Sequence, residues 1–187
     1  CGGSADLCVG IIGIGLLTEL LPGYELQVGS SLERSRLFRW LTRTYQELFP
    51  HLRDFSHLDH QINQHFSRET PLWWVTAKNA ENLENQVLPS ASVPLPIAGL
   101  WWGWAVDQAS GQRLPHVFWM YVLPDYRRRG IGRSLLKHLE MEAQSMGATE
   151  ISLQVYGHNA GAIALYQSLG YESKAILMRK SLGEKCL

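Results

Sequence analysis

Tyr126-Arg127-Arg128-Arg129-Gly130-Ile131-Gly132-Arg133-Ser134 is the stretch that decides the fold. Before it, Leu114–Leu123 (LPHVFWMYVL) is a mostly apolar run with Pro115 and Pro124 at its borders, as expected of a buried central strand. After it, Gly130–Met146 carries Ile131, Leu135, Leu139, Ala143 and Met146 at helical spacing, with Gly147 as a C-terminal cap. Glycines at a strand-to-helix junction let the backbone approach a ligand closely and turn several N–H groups the same way. The helix N-terminus adds partial positive charge. Arg127, Arg128, Arg129 and Arg133 add more. The physical reading is a cradle for a pyrophosphate. The spacing of a P-loop is absent, and a dinucleotide fingerprint fails because Leu135 stands at its third glycine. Taken alone, the same residues also fit a solvated basic turn that opens a helix.

Downstream, Ile151, Leu153 and Val155 alternate as a strand. Asn159 is a plausible N-cap for a helix over Ala160–Leu169, closed by Gly170. Ala162, Leu165, Tyr166 and Leu169 share one face of it, and Tyr171–Leu182 reads as a final strand. Upstream, Tyr24–Ser30 reads as a strand. Ser31 caps a helix over Leu32–Phe49, with Leu37, Trp40, Leu41, Tyr45 and Leu48 on one face. A shorter helix covers Asp54–Phe66. Two aromatic strands follow, Leu72–Ala77 and Ile97–Val106, separated by a long irregular loop. The order gives a single mixed α/β domain over residues 24–187, behind a glycine- and leucine-rich lead over residues 1–23 that is a dimer arm or an unstructured start.

Composition narrows the function classes. The chain has 187 residues, 45% of them apolar and 18% charged, which is globular composition. Its 17 basic and 17 acidic side chains cancel, so bulk attraction to nucleic acid or an anionic membrane is not indicated. Residues 94–187 hold ten basic and seven acidic groups, a slight bias toward an anionic ligand. Cys1, Cys8 and Cys186 form neither a disulfide framework nor a metal-ligand spacing, and a reducing cytoplasm is the expectation. Leu7–Leu17 is too short to span a bilayer and lacks the basic leader of a signal peptide.

Two stretches together resemble the GNAT superfamily of acyl-CoA-dependent N-acetyltransferases. The family's pyrophosphate signature is matched by Arg127, Gly130 and Gly132. Its later Asn-x-x-Ala-x-x-Leu-Tyr-x-x-x-Gly-Phe/Tyr run is matched by Asn159, Ala162, Leu165, Tyr166, Gly170 and Tyr171. The close resemblance covers residues 114–182, and 24–108 match in element order. It implies a mostly antiparallel sheet splayed between two parallel strands and flanked by helices, with acetyl-CoA as cosubstrate and no metal. The pyrophosphate would sit on the N–H groups of Arg128 to Ser134. The pantetheine arm would run along the strand backbone at Met120, Tyr121 and Val122, with Asn159 and Ala162 beside it. Tyr166 would protonate the departing thiolate. The acceptor would be a primary amine on a small molecule or a peptide N-terminus. A homodimer stays open.

The departure from the family lies in the base. Strand 114–123 has no carboxylate, and the next strand has Gln154 where relatives carry glutamate. His116 is the conventional base left on the first strand, and alternation puts it on one face with Phe118, Met120 and Val122. A catalytically silent acyl-CoA sensor is the alternative function, which the retained Tyr166 argues against. Trp73, Trp74, Trp101, Trp102, Trp104 and Trp119 fit core packing better than an aromatic acceptor pocket. His51, His57, His60 and His65 fit a solvated face better than a zinc site.

Overall fold

In the computed structural model, which describes residues 18–78 and 95–182, six strands form one sheet in chain order. They are β1 (Thr18–Leu21), β2 (Tyr24–Val28), β3 (Leu72–Ala77), β4 (Ala98–Val106), β5 (Arg113–Val122) and β6 (Ser152–Leu153). Helices α1 (Arg34–Leu48) and α2 (Ser56–His65) lie between β2 and β3, α3 (Ile131–Ser145) between β5 and β6, and α4 (Ala160–Gln167) follows β6. Neighbouring strands are antiparallel except β5 and β6, which run parallel. A parallel pair needs a crossover, and α3 supplies it. The chain divides into two units, Cys1–Gln154 and Val155–Leu187. No described helix is long and apolar enough to cross a membrane.

Helices α1, α2 and α3 form because each has an apolar stripe to bury, whereas α4 has no fully buried residue. Leu37 and Leu41 of α1 and Leu58 and Ile62 of α2 pack on Leu72, Trp74, Trp101, Trp119 and Tyr121, which fill one face of the sheet. On the other face α3 buries Ile131, Leu135, Leu136, Leu139 and Ala143. There Trp73 meets α3 at His138, with ring centroids 5.0 Å apart. An indole N–H inside a core is stabilised by an acceptor, and two of the buried indoles have one. Trp119 Nε1 donates to Thr44 Oγ1 at 2.9 Å, and Trp74 Nε1 donates to Glu33 Oε2 at 3.0 Å. Glu33 also accepts from Ser30 N–H, so α1 enters on Ser30 and Glu33 rather than on a Ser31 cap. Trp73, Trp74, Trp101, Trp102 and Trp119 are all at most 5% exposed. They are core, and only Trp104 of the six is half-buried.

One irregularity changes which side chains share a face. Trp101 pairs with Trp119, but Trp102 pairs with Val117, so Phe118 is an extra residue on β5. A bulge of this kind puts two successive residues on one side of the sheet. Phe118 stacks against His65 of α2 and lies 4.8 Å from the Trp101 ring, on the same side as Trp119. His116, paired with Gly103, stays with Phe118. Met120 pairs with Leu100, whose β3 partner is Trp73, and therefore takes the α3 side. The alternation that grouped His116 with Met120 and Val122 is broken at Phe118.

Three other expectations change. Thr18–Leu21 forms β1 against β2, so the lead and the sheet overlap, and Leu21 approaches Gly130. The strand around 151–155 is ladder-bonded only at Ser152 and Leu153. Tyr171–Leu182 forms no strand, and its Ile176, Leu177, Met178 and Leu182 are exposed. Alternation supplies a side-chain pattern, but a strand also needs a partner edge for its backbone groups. Cys1, Cys8, Cys186 and most of the long loop lie outside the described residues.

Candidate active site

The site begins where β5 ends. Pro124–Tyr126 form one tight 3-10 turn, closed by Tyr126 N–H to Leu123 O at 2.9 Å and Arg127 N–H to Pro124 O at 3.1 Å. The chain then enters the left-handed region twice, at Arg128 (φ 62) and at Gly130 (φ 85). Gly130 is the N-cap of α3 and has no side chain with which to cap it. The first helical bond is donated by Ser134 N–H to Gly130 O at 2.9 Å. The N–H groups of Ile131, Gly132 and Arg133 precede it and have no intrahelical acceptor. A sharp turn of this hand before a bare helix start has the form in which backbone N–H groups can receive an anion. A pyrophosphate fits this donor set.

The arginines divide their work. Arg129 donates to Asp125 O at 2.9 Å and to the Tyr24 hydroxyl at 3.3 Å, with its guanidinium over the Tyr126 ring. Arg127 donates through Nε to Val122 O at 2.9 Å and forms a two-pronged pair with Glu47. Arg128 is exposed and makes no side-chain bond to a described residue. It is therefore the guanidinium most available to a phosphate. Glu47 escaped the sequence reading, because nothing local marks a residue about 80 positions from its partner.

Along β5, Met120 and Val122 are half-buried, while the buried Tyr121 sends its hydroxyl to Glu47 Oε2 at 2.7 Å. The parallel ladder with β6 covers only His116↔Ser152 and Val117↔Leu153. Among the described residues of the unit Cys1–Gln154, no strand pairs with the same edge of β5 beyond Val117. His116 is half-buried, with Nδ1 2.7 Å from Ser152 Oγ. Burial, and then the charge of His65, lower its pKa below the ordinary 6.5. No group of three or more metal-ligating side chains occurs among the described residues.

In the second unit, Asn159 caps α4 as expected, its Oδ1 accepting from Ala162 N–H at 3.2 Å. Tyr166 and Tyr171 have ring centroids 5.8 Å apart. Burial pushes the Tyr166 phenol up to about 12. Two surface hollows lie elsewhere. One of about 420 Å³ is lined by Trp104, Arg113 and Met146 among others, and one of about 350 Å³ by Arg34, Phe38, Arg39 and Asp59.

Several known proteins resemble the chain. It is 47% identical over 60 residues to the ribosomal protein bS18-alanine N-acetyltransferase of Escherichia coli (strain K12), covering 32% of this chain and 40% of that one. It is 32% identical over 82 residues to an uncharacterized N-acetyltransferase of Bacillus subtilis (strain 168), covering 43% and 52%. The matched stretch thus spans less than two thirds of either relative. Among solved structures, a Clostridium acetobutylicum protein with acetyl-CoA superposes with a TM-score of 0.63 at 15% identity, covering 85% of this chain and 96% of that one. The aminoglycoside 6'-N-acetyltransferase of Acinetobacter baumannii gives 0.58 at 18%, covering 86% and 100%. At these identities the structures speak for the fold. The sequence profile of the acetyltransferase (GNAT) family matches residues 34–171, well over half of the sequence, and the chain belongs to that family.

Proposed function

We propose that this chain transfers an acetyl group from acetyl-CoA to a primary amine by direct attack of the amine on the thioester. The observation that supports this most is the turn at 127–134, where two left-handed residues and a bare helix start converge on an anion site. CoA supplies the acyl group in activated form. The N–H groups of Arg128, Arg129, Gly130, Ile131, Gly132 and Arg133 bind its pyrophosphate, with Arg127 at the entry to the turn; Ser134, expected among these donors, spends its N–H on Gly130 O and has only its hydroxyl to offer. The edge of β5 at Met120, Tyr121 and Val122 holds the pantetheine arm; Asn159 and Ala162 are assigned to the same cofactor on the family's motif alone. Backbone N–H groups of β5 stabilise the oxyanion.

An ammonium has no lone pair, so the acceptor must lose a proton first. We assign that step to His116. If its Nδ1–H donates to Ser152 Oγ, Nε2 keeps its lone pair. A lowered pKa keeps this ring neutral at pH 7. Tyr166 serves the leaving thiolate. A phenol at about 12 lies roughly 3–4 units above a free thiol, so complete proton transfer costs about 5 kcal/mol. Tyr166 therefore acts as a hydrogen-bond donor to the developing thiolate.

The E. coli relative is named for the alanine of a ribosomal protein and the A. baumannii neighbour for aminoglycosides, which supports an amine on a peptide or a small molecule. We place the reaction in the cytoplasm on the cysteine pattern. The test is acetyl-CoA-dependent thiol release across polyamines, amino acids, aromatic amines, aminoglycosides and peptides with free N-termini. Release with one class is expected. No release with any class, in a sample shown to bind acetyl-CoA, would contradict turnover.

A further inference from the structure

Glu47 stands in the last turn of α1, on the helix layer opposite α3. Its carboxylate is nonetheless tied to the residue that opens the cradle. Oε2 accepts from Arg127 Nη2 at 2.8 Å and Oε1 lies 2.7 Å from Arg127 Nη1, a fork-to-fork pair. The remaining edge of that guanidinium donates through Nε to Val122 O at 2.9 Å. Oε2 also accepts from the Tyr121 hydroxyl at 2.7 Å, and the guanidinium lies over the Tyr121 ring at 5.3 Å. One carboxylate thus fixes a planar cation in both position and orientation, and that cation grips the last carbonyl of β5.

The place where this happens matters. Arg128, the next residue, is the one non-glycine residue at positive φ among the described residues. Such a conformation costs free energy and persists only when its surroundings impose it. Arg127 is the fixed point from which the chain makes that turn. Its side chain is already committed, so it is poorly placed to bind phosphate itself.

We propose that Glu47 is a positioning residue for the cofactor cradle: by locking Arg127 across Val122 O, it holds the 127–134 turn in the geometry that receives the pyrophosphate. This rests on the acetyl-CoA reading above. Electrostatics alone makes the opposite forecast. Neutralising Glu47 leaves an unpaired positive charge beside an anion site, and that should tighten binding. The sign of the effect therefore separates the two.

The experiment is calorimetric titration of acetyl-CoA into the full chain, its Glu47→Gln variant and its Arg127→Lys variant, with steady-state kinetics on any acceptor found. Both variants should bind about fivefold more weakly, the loss expected for an exposed but two-pronged pair. KM for acetyl-CoA should rise by the same factor while kcat stays within about twofold, since the chemistry is untouched. Arg127→Lys keeps the charge and loses the fork, so it should follow Glu47→Gln. Unchanged or tighter binding by a folded Glu47→Gln variant would overturn the proposal, as would a fall in kcat at constant KM. Should Glu47→Gln not fold, Arg127→Lys decides alone by the same criterion. Failure of the unaltered chain to bind acetyl-CoA at all would instead overturn the reading on which the proposal rests.

Discussion

His116 shows how much of a role is set by neighbours. Its type, and its place at the start of a strand without carboxylates, were legible in the sequence. Its partner Ser152 and its companion His65 were not, because they come from β6 and α2. With the pKa lowered, the ring is neutral down to a pH below 6.5. The acid limb of kcat/KM should therefore fall below that value, and His116→Gln should lower kcat/KM by about a hundredfold, the lower range for a general base. An unchanged pH profile in the variant would exclude His116. For Tyr166, replacement by Phe should cost about a hundredfold in kcat with little change in acetyl-CoA affinity, since it removes one donor to the leaving group. Single-turnover rates with saturating acetyl-CoA would check this. Tyr166 is proposed from a local motif, whereas Glu47 was not legible, because its partners lie 74 and 80 residues away.

At the scale of elements, strand and helix positions were legible from period and punctuation, and the bulge at Phe118 was not. Counting by two cannot see an inserted residue, so it assigned His116 to the face of Met120. Short strands were announced unevenly: the four residues of β1 were missed inside the lead, while alternation over 151–155 marked β6 but overstated it, since only Ser152 and Leu153 are paired. Close aromatic packing around the sheet yields a sharper expectation. A Cβ at Gly99 would lie 2.7 Å from Trp74 Cε3 and 2.8 Å from Trp119 Cζ3. These rings are locked by N–H bonds to Glu33 and Thr44 and cannot retreat cheaply. Gly99→Ala should therefore destabilise the fold by about 1–3 kcal/mol in urea unfolding. Gly130→Ala acts differently, because the nearest atom to its Cβ is 3.9 Å away and the strain lies in φ of 85°. It should cost about 1–2 kcal/mol of stability, together with affinity for acetyl-CoA.

For the whole molecule, a zero net charge hides a local arrangement. The proposed anion site rests on backbone direction at 128–133 and on an exposed Arg128, not on an overall basic surface. Acetyl-CoA affinity should therefore weaken with salt, yet without the steep loss typical of nucleic-acid binders. The α/β class and the order of elements from β2 to α4 could be read from the chain, whereas β1 and the absence of a strand over Tyr171–Leu182 could not. The faces of the sheet and the tie between α1 and the cradle required the fold, since side chains far apart in sequence decide them. The most direct measurement compares acetyl-CoA with acetyl-pantetheine, which lacks the pyrophosphate, in calorimetric titrations of the full chain. Acetyl-CoA should bind, and acetyl-pantetheine should bind at least about tenfold more weakly, as loss of an anion held by several N–H donors requires. Equal affinity for the two, or no affinity for acetyl-CoA, would contradict the assignment of residues 127–134 as the pyrophosphate site.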